Sequence, residues 1–192
     1  PYRQHRIEQL LRARDKDGIG DMAAMQADVL SLATQRLLPW LQRARSEHAL
    51  ADAAQAALKN FNGEMKADAS APLMFSAWSR QFVRAVFIDE LGGPAVYERV
   101  LGARSFRDAL EGVLERNDAW WCDDKTTGNA ETCEQMSHVA LTRALDELQR
   151  RHGTDVSKWR WGDAHVARSE HRPFSRIKAL APLFEVRVPT GG

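Results

Sequence analysis

The stretch Pro72 to Leu91, PLMFSAWSRQFVRAVFIDEL, decides how the rest of this chain must fold. It is the most apolar run in the sequence. Phe75, Trp78, Phe82 and Val86 recur at spacings of three and four, and Met74 and Phe87 widen the stripe. This is helical periodicity with an apolar face that needs cover on most sides. Ser70 stands where an N-cap is wanted, and Pro72 fits a first turn, which needs no N–H donor. Gly92, Gly93 and Pro94 bring C-cap and breaker chemistry to the other end. The fold class expected is therefore mainly α: an irregular helical bundle wrapped around this central helix.

Composition sets the outer limits. A chain of 192 residues can bury one substantial core, and its 44% hydrophobic content is ordinary for a globular protein. With 27 basic against 26 acidic residues, it lacks the charge excess of a nucleic-acid binder that works by neutralising phosphates. No apolar run reaches the roughly 18 residues that a membrane span requires, so neither nucleic acid nor membrane is an expected partner. The chain begins at Pro1 and not at Met, which fits a processed chain or an internal piece.

Before the central helix, Tyr2 to Arg14 reads as a helix with Ile7, Leu10 and Leu11 inward. Asp15-Lys16-Asp17-Gly18 has the look of a calcium loop, but its glycine comes too early and no Glu follows at the right spacing; it reads as a turn. Asp21 is placed to cap a helix whose face is Met22, Met25, Val29, Leu32, Ala33, Arg36, Leu37 and Trp40, with Pro39 ending or kinking it near Leu38. Ser46 is placed to cap an alanine-rich helix with Leu50, Ala53, Ala57, Leu58 and Phe61 inward, and Asn62-Gly63 turns the chain.

After the central helix, a short helix runs from Pro94 through Val100 and breaks at Gly102. Ser105 with Asp108 is a capping-box variant ahead of the stripe Phe106, Ala109, Leu110, Val113 and Leu114. Thr132 with Gln135 is a second capping box. It opens a long helix with Met136, Val139, Ala140, Leu145 and Leu148 on one side. Arg150, Arg151 and His152 lie at its negative end, and Gly153 closes it. From Thr154 the character changes to irregular structure, so the chain divides into a helical part, 1–153, and a segment 154–192. Phe184 to Val188 alternates and is β-branched, the pattern of one C-terminal strand, whose sheet partners are expected outside the chain.

Cys122 and Cys133 flank a polar loop, CDDKTTGNAETC. They are expected to close it as a disulfide, which points to an oxidising compartment; the alternative is two free thiols. No metal site is expected from them, since no histidine stands in the loop. His165 and His171 read as hydrogen-bonded structural residues, with a metal or general-base role as the alternative. The spacing contains no Ser-His-Asp or Cys-His arrangement and no glycine-rich phosphate loop.

A set of short motifs adds a resemblance. They are Tyr2-Arg3-x-x-Arg6-Ile7, Met25-Gln26-x-Asp28, Leu37-Leu38-Pro39, Phe61-Asn62-Gly63-x-Met65, Asp68-x-x-Ala71-Pro72, Phe75-x-x-Trp78, Trp159-x-Trp161-Gly162-x-x-His165 and His171-x-Pro173. In this order the chain resembles the penicillin acylase (penicillin amidase) family of N-terminal-nucleophile hydrolases, whose relatives include cephalosporin and acyl-homoserine-lactone acylases. The resemblance implies hydrolysis of side-chain amides by a serine at the start of a β chain. That serine's own α-amine acts as base, and a backbone N–H and an asparagine hold the oxyanion. It also implies a periplasmic or secreted enzyme.

This chain resembles an internal segment of that β chain, starting just after the oxyanion asparagine. Position 1 is proline, and no serine here matches the nucleophile motif, so the piece alone is expected to be inactive. Its implied partners are the α chain, the rest of the β chain and a small-molecule amide, with no cofactor in the segment. Arg6 matches an arginine that the family places near the nucleophile to orient reacting groups; a plain surface arginine is the alternative. Trp159, Trp161 and His165 match architectural positions. Two other classes stay open: a free-standing helical interaction module whose strand recruits a partner, and an enzyme that uses the amine of Pro1.

Overall fold

The computed structural model describes residues 2–100 and 105–191 of the chain. Its helices run in the order α1 Tyr2–Arg12, α2 Ile19–Gln26, α3 Leu32–Arg43, α4 Ala51–Leu58, α5 Ala71–Phe87, α6 Pro94–Val100, α7 Ser105–Arg116, α8 Ala119–Cys122, α9 Cys133–His152, α10 Trp161–Ala164 and α11 Ala181–Phe184. A two-stranded antiparallel sheet, β1 Val166–Ser169 with β2 Val186–Pro189, lies near the C-terminus. The mainly α class is present, and a central helix lies within the stretch expected from Pro72 to Leu91.

Helix α5 is the axis. Trp78, Phe82 and Val86 are fully buried, and Phe75 and Met74 nearly so. Its closest companion is α9, and small residues at Ala77, Ala85, Ala140 and Ala144 are all buried. Small side chains let the two backbones approach while larger ones interlock around them. Aromatic rings run along α5: Phe61 to Phe75, Phe75 to Trp78 and Trp78 to Phe82 lie 6.4, 5.8 and 5.2 Å apart. The indole of Trp78 donates to the Ser137 carbonyl and hydroxyl, both at 3.3 Å, so its one polar atom is satisfied inside the core. At the rim, Glu147 of α9 accepts from Arg80 and Gln81 of α5 at 2.9 and 3.0 Å. The capping box of α9 forms as expected: Thr132 Oγ1 accepts from the Gln135 N–H, and the Gln135 side chain accepts from the Thr132 N–H.

Several expectations are corrected. The central helix ends at Phe87, because Gly92 and Gly93 take positive φ and the Gly93 N–H bonds back to the Ile88 carbonyl at 2.9 Å. Ser70 offers its carbonyl, not its hydroxyl, to that helix. Ile7 and Leu11 face outward, 49% and 47% exposed, because the face of α1 that meets the bundle carries Tyr2 and Arg6. Asp21 is not the cap: Gly18 is, and Asp21 accepts its N–H at 2.9 Å from the third helical position.

The single helix expected from Met22 to Trp40 is two. Residues 29–31 leave helical geometry to pair with 63–65, through Met65 N–H to the Val29 carbonyl and Ser31 N–H to the Gly63 carbonyl, and Ser31 caps α3 afresh. Pro39 is exposed within α3, which runs on to Arg43; only one ladder bond is forfeited there, on the solvent side. Ser46 bonds to Thr142 at 2.8 Å instead of capping, so α4 starts at Ala51 and buries Ala54 where Ala53 was expected. Ala109 is exposed beside buried Leu110, Val113 and Leu114. The break at Gly102 and the side chains of Ser105 and Phe106 lie outside what is described.

The C-terminal strand does find a partner in the chain. Its β2 pairs with β1 in the register Val166↔Pro189, Ala167↔Val188, Arg168↔Arg187 and Ser169↔Val186. Residues 170–185, which include a 3-10 turn and α11, separate the two strands and hide the hairpin from a local pattern search. Arg168 and Arg187 oppose one another directly, and Glu185 bridges both, at 2.5 and 2.8 Å.

Candidate functional site

Arg6 lies in the middle of α1, one turn beyond Tyr2. Its Nε donates to Asp28 Oδ2 at 2.9 Å and its Nη2 to Asp28 Oδ1 at 2.7 Å. The fork is bidentate, which fixes the guanidinium plane as well as its distance. Both side chains are largely covered, 24% and 19% exposed. The bond from Arg6 holds the Asp28 carboxyl below its ordinary pKa, against the opposing effect of burial. Asp28 is presented by the short link between α2 and α3, and the pairing of 29–31 with 63–65 makes that link rigid.

Gly63 is required at this junction. Its φ is 97°, and a Cβ there would meet Gln35 Cγ at 2.8 Å and the Ser31 carbonyl at 3.3 Å. The C-terminal segment closes over the same region. Trp161 and Gly162 donate backbone N–H groups to the Ala69 and Ala67 carbonyls at 2.9 and 2.8 Å. A Cβ on Gly162 would sit 2.8 Å from Pro189 Cβ. The segments 2–7, 25–28, 61–72 and 159–165 therefore form one connected strip, although they are far apart in sequence.

The other nominated residues fall as follows. Cys122 and Cys133 are bonded and buried, tying α8 to the start of α9. His165 stacks on Trp161, with ring centroids 4.7 Å apart, and its Nδ1 lies 2.9 Å from Thr190 Oγ1. His171 stacks on Phe174 at 5.1 Å. Both histidines serve local packing. Among the described residues, no group of three or more His, Cys, Asp or Glu is placed to hold a metal ion, and no helix is long and apolar enough to cross a membrane.

Sequence reasoning missed one carboxylate. Glu111 of α7 is 8% exposed and accepts the Tyr2 hydroxyl, and Arg36 Nε lies 3.6 Å from the same oxygen. Burial, and then the bond to Glu111, raise the pKa of Tyr2. Only its place beside the stripe Leu110, Val113 and Leu114 hinted that Glu111 would be covered. An open cleft of about 540 Å³ runs along α1, lined by Tyr2, His5, Glu8, Arg12 and Leu32 among others. This arrangement holds two permanent cations, Arg6 and Arg36, against carboxylates at the surface of the bundle.

Comparison with known proteins agrees with the motif strip. The family profile described as penicillin amidase matches residues 1–192. Acyl-homoserine lactone acylase QuiP of Pseudomonas aeruginosa is 28% identical over an alignment of 189 residues that covers 86% of this chain. QuiP of Pseudomonas putida is 29% identical over an alignment of 135 residues that covers 68% of this chain. The chain spans 22% of the first relative's length and 16% of the second's.

Proposed function

Because the chain belongs to the penicillin amidase family, we propose that it is the helical segment of an amide hydrolase whose nucleophile and oxyanion asparagine lie outside it. The substrate class is a side-chain amide of the β-lactam or acyl-homoserine-lactone type, the latter named for the relatives above. The N-terminal serine of a neighbouring segment attacks the amide carbonyl. Arg6, always charged and locked by Asp28, stabilises and orients the groups on which negative charge develops. Arg6 neither attacks a carbonyl nor accepts a proton at neutral pH, so the segment alone is inactive. The Cys122–Cys133 bond supports an oxidising compartment, the periplasm or the exterior.

The observation that carries this reading is the bidentate Arg6–Asp28 pair. It joins two of the motifs on which the family resemblance rests, which a solvated surface arginine would not do. The test compares the full-length polypeptide with the isolated segment, using a chromogenic phenylacetyl amide and an acyl-homoserine lactone as probes. Turnover by the full-length protein and none by the segment is expected. Robust turnover by the segment alone would overturn the proposal.

A further inference from the structure

Helix α1 presents a mechanical question. It carries Arg6, yet none of its residues is buried, and Ile7 and Leu11 stand about half exposed. No fully buried apolar residue fixes its rotation, and Leu10 is only half-buried. Two polar contacts on one face, a helical turn apart, do so instead. Arg6 grips Asp28 at the link between α2 and α3. Tyr2, in the first turn, donates its hydroxyl to Glu111 Oε2 of α7.

Glu111 is an unusual residue to find in that position. It is 8% exposed, and its Oε1 meets no donor among the described residues. Its Oε2 faces Arg36 Nε at 3.6 Å as well as the Tyr2 hydroxyl, yet a buried carboxylate with one oxygen unpaired still costs stability. The bond does what an apolar pair cannot: it sets the direction of the first turn, which would otherwise fray. A tyrosine hydroxyl is protonated at neutral pH at its ordinary pKa of 10.0, and burial and then the Glu111 bond only raise that value further.

We propose that Tyr2 and Glu111 are positioning residues for Arg6: their hydrogen bond anchors the start of α1 to α7 and so fixes the rotation and reach of the guanidinium. The proposal rests on the role given to Arg6 above. Neither residue touches substrate. Misplacing a catalytic group by about 1 Å costs up to about a hundredfold in rate, so a small shift of α1 is legible in kcat.

The experiment is a double-mutant cycle in the full-length enzyme, with circular dichroism to confirm that each variant folds. Tyr2→Phe removes one oxygen and should lower kcat by roughly fivefold or more, with KM changed less than about twofold. Glu111→Gln keeps an acceptor for the hydroxyl and should retain most of kcat, while Glu111→Met should match Tyr2→Phe. Adding Tyr2→Phe to Arg6→Ala should cause no further loss, because the anchor then has nothing to position. If Arg6→Ala is itself as fast as the parent, the role of Arg6 fails and this inference with it. If Arg6→Ala is slow but Tyr2→Phe is fast, or the two losses multiply, the anchor is structural only and the inference alone falls.

Discussion

Helices α5 and α1 are held in opposite ways. Helix α5 is fixed by burial: Trp78, Phe82 and Val86 are fully covered and Trp78 spends its one N–H on Ser137. Helix α1 leaves Ile7 and Leu11 half exposed and is oriented by two carboxylates, Glu111 and Asp28. The first mode is insensitive to pH and direction but demands volume. The second is directional and places a charge. Stability and the candidate site therefore live in different helices, so mutations should separate them.

The largest expected effect is at the packed end of the comparison. Trp78→Ala should cost about 3–5 kcal/mol in denaturant unfolding, since it empties the middle of the aromatic row and removes the indole donor from Ser137. A cost near that of a surface substitution would put α5 outside the core. Next comes the disulfide. Closing a loop of about a dozen residues contributes roughly 3 kcal/mol on the chain-entropy view, so Cys122→Ala with Cys133→Ala should melt clearly lower. Intact mass without reductant should be about 2 Da below the dithiol value, and native thiol titration should find none.

Smaller effects sharpen the polar end. Asp28→Asn replaces a charged, bidentate acceptor and should cost about 1–2 kcal/mol. The pH dependence has a definite sign. Asp28 is held below its ordinary value of 3.8, chiefly by the bond from Arg6. A depressed carboxylate adds stability that is fully present above its unfolded value and is lost as pH falls through the lower folded one. Relative to Asp28→Asn, the parent should therefore lose stability from about pH 3.8 downward. A parallel pair of acid profiles would show that the pair contributes nothing. The smallest change is Thr132→Ala, about 1 kcal/mol from the lost cap of α9, read by thermal melting.

How much of this was legible in the sequence follows the same division. The stripe Phe75, Trp78, Phe82 and Val86 has a period that only a buried helix explains, and the Thr132–Gln135 box and the Cys122–Cys133 closure are local signals that nothing distant overrides. The rotation of α1 was misread, because Ile7 and Leu11 look like an inward face until Tyr2 and Arg6 meet partners 109 and 22 residues away. The split between α2 and α3 depends on the pairing of 29–31 with 63–65, and β1 was missed because its partner follows an intervening helix. At the site, Arg6 and Asp28 both stood in quoted motifs, yet nothing local joined them. Glu111 looked like any helix-surface glutamate.

The most direct test of the account is kcat for Arg6→Ala in the full-length protein, measured on material whose helical content matches the parent by circular dichroism. A cation that supports the oxyanion machinery predicts a fall on the order of tenfold to a thousandfold. Unchanged turnover by the folded variant would contradict it, and would leave Arg6 and Asp28 as a clasp that holds a helix and nothing more.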